Sequence, residues 1–359
     1  MILPTIRWCG PCASRHSGRL VVAIAVFGLS RALAAQAPSA AAAVERHGIR
    51  LDSLEGSAVE RGEVLVRVLP TRDPRDVAVF GVVRLPIPRD IYLRRVQDFR
   101  NWLRTPTRTR LGIFSEPAQT ADVEQVTVTR QDANDLRRCK PGDCSTKLPA
   151  TAMARLRDEV DWNAGDVQAR VTALARHRLV DFVAEYRVRG NASMPVYDDR
   201  PTIRASDAFA AVLTQSSYLS QAAPALATYL KAFPRERPGG VSDVIYWSED
   251  IVPRLRPILS VTHVVVYTPP ELAGTTLIAS KQIYANHYFE AALEALSVID
   301  REPDSAPAST YLVMERRFRF DNLPRGILNI RGRAISGLRD QLRDDLAREK
   351  VAVERLGGR

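Results

Sequence analysis

The chain has 359 residues, 45% of them hydrophobic and 26% charged, with 23 Pro and 19 Gly. This composition excludes a wholly disordered chain, a collagen and a multi-span membrane protein, and the length suffices for one large domain or two ordinary ones. The formal net charge is +10, but the only lysines are Lys140, Lys147, Lys231, Lys281 and Lys350, and the arginines are scattered among acids. A nucleic-acid surface needs a clustered basic stripe with interleaved aromatics, so none is expected.

The first residues read as a targeting segment. Arg7, Arg15 and Arg19 form a positive region without an acid, and an apolar run follows from Leu20 to Ser30. That run falls short of the roughly 20 apolar residues a bilayer span requires. Ala32 and Ala34, or Ala35 and Ala37, then match the small-residue spacing of a signal-peptidase site. Residues 1–37 are therefore expected to be a cleaved signal peptide, the alternative being an uncleaved anchor. The mature protein is expected to be periplasmic or secreted, without a transmembrane span. Trp8-Cys9-Gly10-Pro11-Cys12 lies inside this segment. The five residues resemble a thioredoxin active site, but no strand precedes them, and the apolar secretion core follows them.

Residues 38–60 read as a flexible, Ala-rich entry with one short helix. Val64, Val66 and Val68 alternate, and 76–86 repeats the strand pattern until Pro86 and Pro88 break it. The spacing of Ile91, Val96, Phe99 and Leu103 predicts one helix over 91–103. Arg110 to Phe114 and Val123 to Val128 read as two further strands. Cys139 and Cys144 flank Pro141-Gly142, a turn signal that brings the two sulfurs together. An exported chain meets an oxidising compartment, so a local disulfide is expected rather than a metal site, which has no nearby His to complete it.

From 149 to 234 the spacing becomes helical. Asp166 to Val188 forms one long helix, Ala208 to Leu213 and Tyr218 to Phe233 two shorter ones, and 189–201 a loop. Asp198-Asp199 in that loop supplies too few oxygens for calcium. Strands return at Val244 to Glu249, Ile258 to Tyr267, Thr275 to about Tyr288, and Tyr311 to Phe320. Phe289 to Leu296 reads equally as strand or helix. Asn322-Leu323-Pro324 then opens a final helix with a stripe of Ile327, Ile330, Ala334, Leu338, Leu342 and Leu346. Beyond Arg343 it is highly charged and is expected to project into solvent.

Consecutive strands without crossover helices imply an antiparallel sheet. The fold class is thus α+β. Residues 62–148 and 241–356 form a curved antiparallel sheet closed by a long C-terminal helix, and 149–234 is an inserted helical block. The segments GVVRLPIPRDIYLRRVQDF (81–99) and LPRGILNIRGRAISGLRDQL (323–342), with this order of elements, resemble the START-like, or polyketide-cyclase-like, helix-grip superfamily. The resemblance implies a sheet that curls around its last helix, with an apolar cavity between them for a hydrophobic or amphiphilic ligand. It carries over no site residues, because it rests on element order.

The chain has no G-x-S-x-G, G-x-G-x-x-G, P-loop or H-E-x-x-H motif, and no cofactor or metal is expected. Lys281 and His287 share a strand face with Leu277, Ala279, Ile283 and Ala285, and His263 shares one with Val261, Val265 and Tyr267. Ionisable groups on apolar faces are costly to bury unless paired, so Lys281, His287 and His263 are candidate ligand-binding residues, with Glu249 as a candidate partner. The first expectation is an exported protein that binds an apolar molecule or lipid between the sheet and the C-terminal helix. One alternative is a hydrolase or cyclase-type enzyme with His287 or His263 as general base. The other is a cell-envelope interaction protein without a closed cavity.

Overall fold

The computed structural model describes residues 39–198, 201–252, 255–301, 308–321 and 330–357. The signal segment with Cys9 and Cys12, Asp199, and the first residues expected for the last helix lie outside these ranges.

The chain enters through two helices, α1 (Ala40–Glu45) and α2 (Ser53–Glu60). Asp52 caps α2, its carboxylate accepting from the backbone of Leu54 and Glu55, and the Glu55 side chain reaches back to the Asp52 amide. Ala40, Ala43, Val44 and Val59 are buried against Phe80, Val82 and Tyr311. The expectation of a flexible entry is therefore corrected: small side chains let these short helices lie flat on the sheet.

Strands β1 (Leu65–Leu69) and β2 (Asp76–Leu85) form a hairpin, followed by α3 (Arg89–Gln97) and α4 (Phe99–Trp102). The single helix expected over 91–103 breaks at Asp98, which leaves helical backbone angles and accepts from the Asn101 amide to cap α4. Strand β3 (Arg108–Ile113) follows. The strand expected over 123–128 does not form. Its backbone is satisfied by side chains instead: Val126 O accepts from Arg176 Nε at 2.9 Å, and the Val128 amide donates to Thr172 Oγ1 at 3.1 Å. Val123 and Val126 are buried in the core beneath the helical block.

After α5 (Arg130–Leu136), the Cys139 and Cys144 sulfurs lie at disulfide distance with Cα atoms 4.6 Å apart. The helical block comprises α6 (Ala150–Glu159), α7 (Val167–Arg189), α8 (Ala205–Leu213), α9 (Ser217–Ala222) and α10 (Pro224–Ala232). A two-residue-deep ribbon, β4 (Val196–Tyr197) with β5 (Ile203–Arg204), lies between α7 and α8. The helix expected over 218–233 is split at Ala223, whose backbone leaves the helical region (φ −138°, ψ 58°) ahead of Pro224, which opens α10.

Strands β6 (Ser242–Asp250), β7 (Ile258–Tyr267), β8 (Thr275–Ala285), β9 (Phe289–Arg301) and β10 (Ser309–Phe320) complete an antiparallel sheet ordered β1-β2-β10-β9-β8-β7-β6-β3. The ambiguous 289–296 segment is strand, paired with β10 and, from Leu293 onward, with β8 as well. The sheet does not close into a barrel.

Helices cover both faces. Val79, Val83, Ile278, Leu296 and Leu312 point to one side, where α3, α4 and α11 (Ile330–Gly357) pack. A side chain at Gly81 would begin 2.6 Å from Leu346 Cδ1, so the absent Cβ allows α11 to sit directly on β2. The expected projection of α11 into solvent beyond Arg343 is corrected. Leu346 and Val353 are buried, Arg95 pairs with Glu349 at 3.0 Å, and Lys350 Nζ donates to the Gly62 carbonyl at 2.6 Å. The charges of this half are spaced around a continuing apolar stripe rather than replacing it. The opposite face carries α1 and α2 at one end and the helical block over the remainder.

Candidate functional site

Strand alternation sets which residues meet the helical block. Asp243, Ile245, Trp247 and Glu249 of β6 share a face with His263 and Val265 of β7 and with Leu277, Ala279 and Lys281 of β8. His263 and Lys281 are register partners and are fully buried. Of the four candidates expected between the sheet and the C-terminal helix, His263 and Lys281 lie on the other face, under the helical block. From Leu277 to Ile283 the odd-numbered positions of β8 meet α7, α8 and α10, and a bulge then shifts the register so that Tyr284, opposite Val261, takes over that face; the unbroken alternation expected as far as His287 is corrected.

Lys281 Nζ donates to Asn191 Oδ1 and, at 3.2 Å, to the Leu230 carbonyl, and lies 4.7 Å from the Phe209 ring centre and 5.4 Å from that of Tyr186. Burial pushes its amine well below the ordinary lysine range. Beside it runs a hydrogen-bonded chain. Asp243 Oδ1 is 2.8 Å from His263 Nε2, and His263 Nδ1 is 3.0 Å from the Tyr186 hydroxyl. Burial lowers the His263 pKa more than the Asp243 carboxylate raises it, so the ring is neutral at pH 7. Desolvation pushes Asp243 up, but its bonds from His263 and charge from Arg237 outweigh this and hold it ionised. An ionised carboxylate only accepts, which places the ring proton on Nε2 and leaves Nδ1 to accept from Tyr186. Tyr229 and Arg237 complete the ring of donors on Asp243. Every polar group in this chain is satisfied and Phe233 stacks over Tyr186 at 4.8 Å, so the arrangement is a packed polar core rather than a site with room for substrate.

The Lys281 shift has a measurable consequence. In the unfolded chain the amine titrates near about 10.4. In the folded chain it titrates lower, so between the two values the unfolded state binds one more proton. Stability then rises with pH across that interval, by up to about 1.4 kcal/mol per unit, and is flat below the folded value. Denaturant unfolding of Lys281→Met should lose this upward slope in the interval just below about pH 10. An identical slope in both proteins would refute a neutral buried amine.

His287 and Glu249 belong to other clusters. His287 Nδ1 donates to the Ser145 carbonyl at 3.0 Å and Nε2 lies 3.3 Å from Asp132 Oδ1, tying the disulfide-bearing segment to the end of β8. Desolvation raises the Asp132 carboxyl, but bonds from His287, Thr129 and Arg256 hold it below the ordinary range. Glu249, buried, pairs with Arg110 of the neighbouring strand.

Between these clusters lies an open space. A cavity of about 250 Å³ is walled by Leu136, Leu148, Leu156, Val171, Leu174, Leu179, Phe182, Leu259 and Tyr284. Its polar lining includes Asp132, Thr146, Arg155, Arg178, Glu249 and Asn286. Helices α6 and α7 form its roof and the ends of β7 and β8 its floor. The space between the sheet and α11 is smaller, about 80 Å³, and charged, with Arg108, Glu294, Arg316 and Asp345 in its lining.

Sequence reasoning missed Asp243, Tyr186 and Asn191. Asp243 stands one residue before the expected start of its strand, yet its alternation with Glu249 was readable. Tyr186 was read as part of an apolar helix stripe, and nothing local to Asn191 marks it. Among the described residues no group of three or more His, Cys, Asp or Glu is arranged to hold a metal ion, and no helix is long and apolar enough to cross a membrane. Compared with protein-family models, curated proteins and solved structures, the chain matches none.

Proposed function

We propose that this is an exported binding protein with a helix-grip-like frame, whose helical insertion holds an apolar or amphiphilic small molecule against the sheet. The observation that carries this is the cavity of about 250 Å³ with nine apolar wall residues named above. An apolar cavity of roughly 150 Å³ already accommodates a benzene ring, so this one has space for a short acyl chain or a ring system. The helix-grip frame is supported by strand order β2-β10-β9-β8-β7-β6-β3, with the two short helices after β2 and the C-terminal helix on one face. Within that frame the ligand lies on the side of the insertion, because the space beside α11 is small and lined by charges. Export is supported by the basic, apolar and small-residue order of residues 1–37.

Native mass spectrometry of the protein purified from the exported fraction of its host should reveal a copurified small molecule. Ala175 lines the cavity from α7, and Ala175→Trp puts an indole into the space. This variant should lose the copurified species while keeping the melting midpoint within a few degrees. Retention of the same species by the filled variant would place its binding elsewhere and sink the proposal.

A further inference from the structure

The charges around the cavity are unequal in their commitments. Asp132 accepts from Thr129 Oγ1 at 2.8 Å and from Arg256 Nη1 at 3.1 Å, and Glu249 is paired with Arg110. Neither acid is available to meet a cationic ligand. The two lining arginines are placed differently. Arg155, on α6, is exposed and makes no ion pair among the described residues, so it marks the mouth. Arg178, on α7, has a side chain 37% exposed; it reaches Asp181 at 3.3 Å and Glu159 only at 3.6 Å. Its Nε is buried and has no hydrogen-bond partner among the described residues. A second polar group points the same way. Thr146 is 6% exposed, lines the cavity, and its Oγ1 also lacks a partner among the described residues. Buried polar atoms of native proteins are almost always satisfied, and these two have hydrogen-bonding capacity left for a polar group in the cavity.

We infer that the occupant is an anionic amphiphile of the fatty-acid type, whose carboxylate is held at the mouth by Arg155 and Arg178 while its chain lies between α6, α7 and the sheet. This rests on the reading of the cavity as the ligand site. A carboxylate suits the guanidinium fork and accepts from Arg178 Nε, and competes with Glu159 for the same side chain. A cationic head would face two arginines without an uncommitted acid, and a neutral head would forgo the charge-assisted bonds.

The test is calorimetric titration with dodecanoate, dodecan-1-ol and dodecyltrimethylammonium, each below its micelle-forming concentration. Wild type should bind dodecanoate at least roughly tenfold more tightly than the alcohol, as charge-assisted hydrogen bonds require. In the Arg155→Gln, Arg178→Gln double variant, dodecanoate affinity should fall to that of the alcohol, with alcohol binding and the melting midpoint unchanged. Equal binding of dodecanoate and alcohol by wild type, or tightest binding of the ammonium compound, would overturn the anionic head and leave the cavity reading intact. Binding of none of the three, together with no copurified molecule, would remove the cavity reading itself.

Discussion

Replacing Leu342 with Asp should abolish cooperative folding near neutral pH. Leu342 is fully buried at the centre of the contact between α11 and the sheet, within van der Waals reach of the site a Gly81 side chain would occupy. The substitution removes a packed aliphatic group and leaves a carboxylate without a partner among Val79, Val83 and Leu312. The loss is about 4 kcal/mol or more, comparable with the whole stability of an ordinary domain. Leu338, one turn earlier, is only partly buried against the same cluster, so Leu338→Asp should cost far less. Chemical unfolding of both variants measures the difference, and equal tolerance at the two positions would show that α11 does not close this core.

Gly190→Ala should cost about 3 kcal/mol or more, although it adds one methyl group. Gly190 ends α7 with φ +59° and ψ −134°, a region that only glycine occupies readily. Its missing Cβ would also overlap the Phe233 carbonyl oxygen, where α10 ends. Phe233 lies over Tyr186 and, at 4.4 Å, against His263, and the neighbouring Asn191 holds Lys281. Displacing it therefore disturbs the buried polar chain as well as the backbone. Thermal unfolding, together with nuclear magnetic resonance of the His263 ring, reads both effects. A variant with wild-type stability would show that the junction of α7 and α10 yields without strain.

Much of the frame was legible because sheet faces are written in alternation. Val79 and Val83 against Phe80 and Val82 on β2 already imply a strand covered on both sides, and the alternation of β8 puts Lys281 on one face with Leu277 and Ala279, which the structure buries. Local patterns failed where distant groups decide. Phe289 to Leu296 is rich in helix formers, yet two strand neighbours outweigh that propensity. Val123 to Val128 alternates like a strand, but Thr172 and Arg176, far along the chain, take its backbone bonds. The cavity has no sequence signature, since its walls come from α6, α7 and two strand ends that only packing brings together. The pairing of His263 with Asp243 and Tyr186 was hidden for the same reason.

The position of β10 bears on the order in which the molecule assembles. Among the described residues it is the last strand, but it lies inside the sheet, between β2 and β9. Its contacts with β2 close a very long loop: Arg319 Nε bonds Asp76 Oδ1 across 243 residues of sequence. Such non-local pairing is slow to form, because chain entropy is surrendered before the contact repays it. During synthesis from the N-terminus, the β1–β2 hairpin is complete long before β10 exists, and β2 presents one open edge throughout that interval. An unpaired apolar edge invites strands from other molecules. The growing chain is thus most exposed to misassembly before its final strand emerges, and shielding β2 during that interval protects the yield of folded protein.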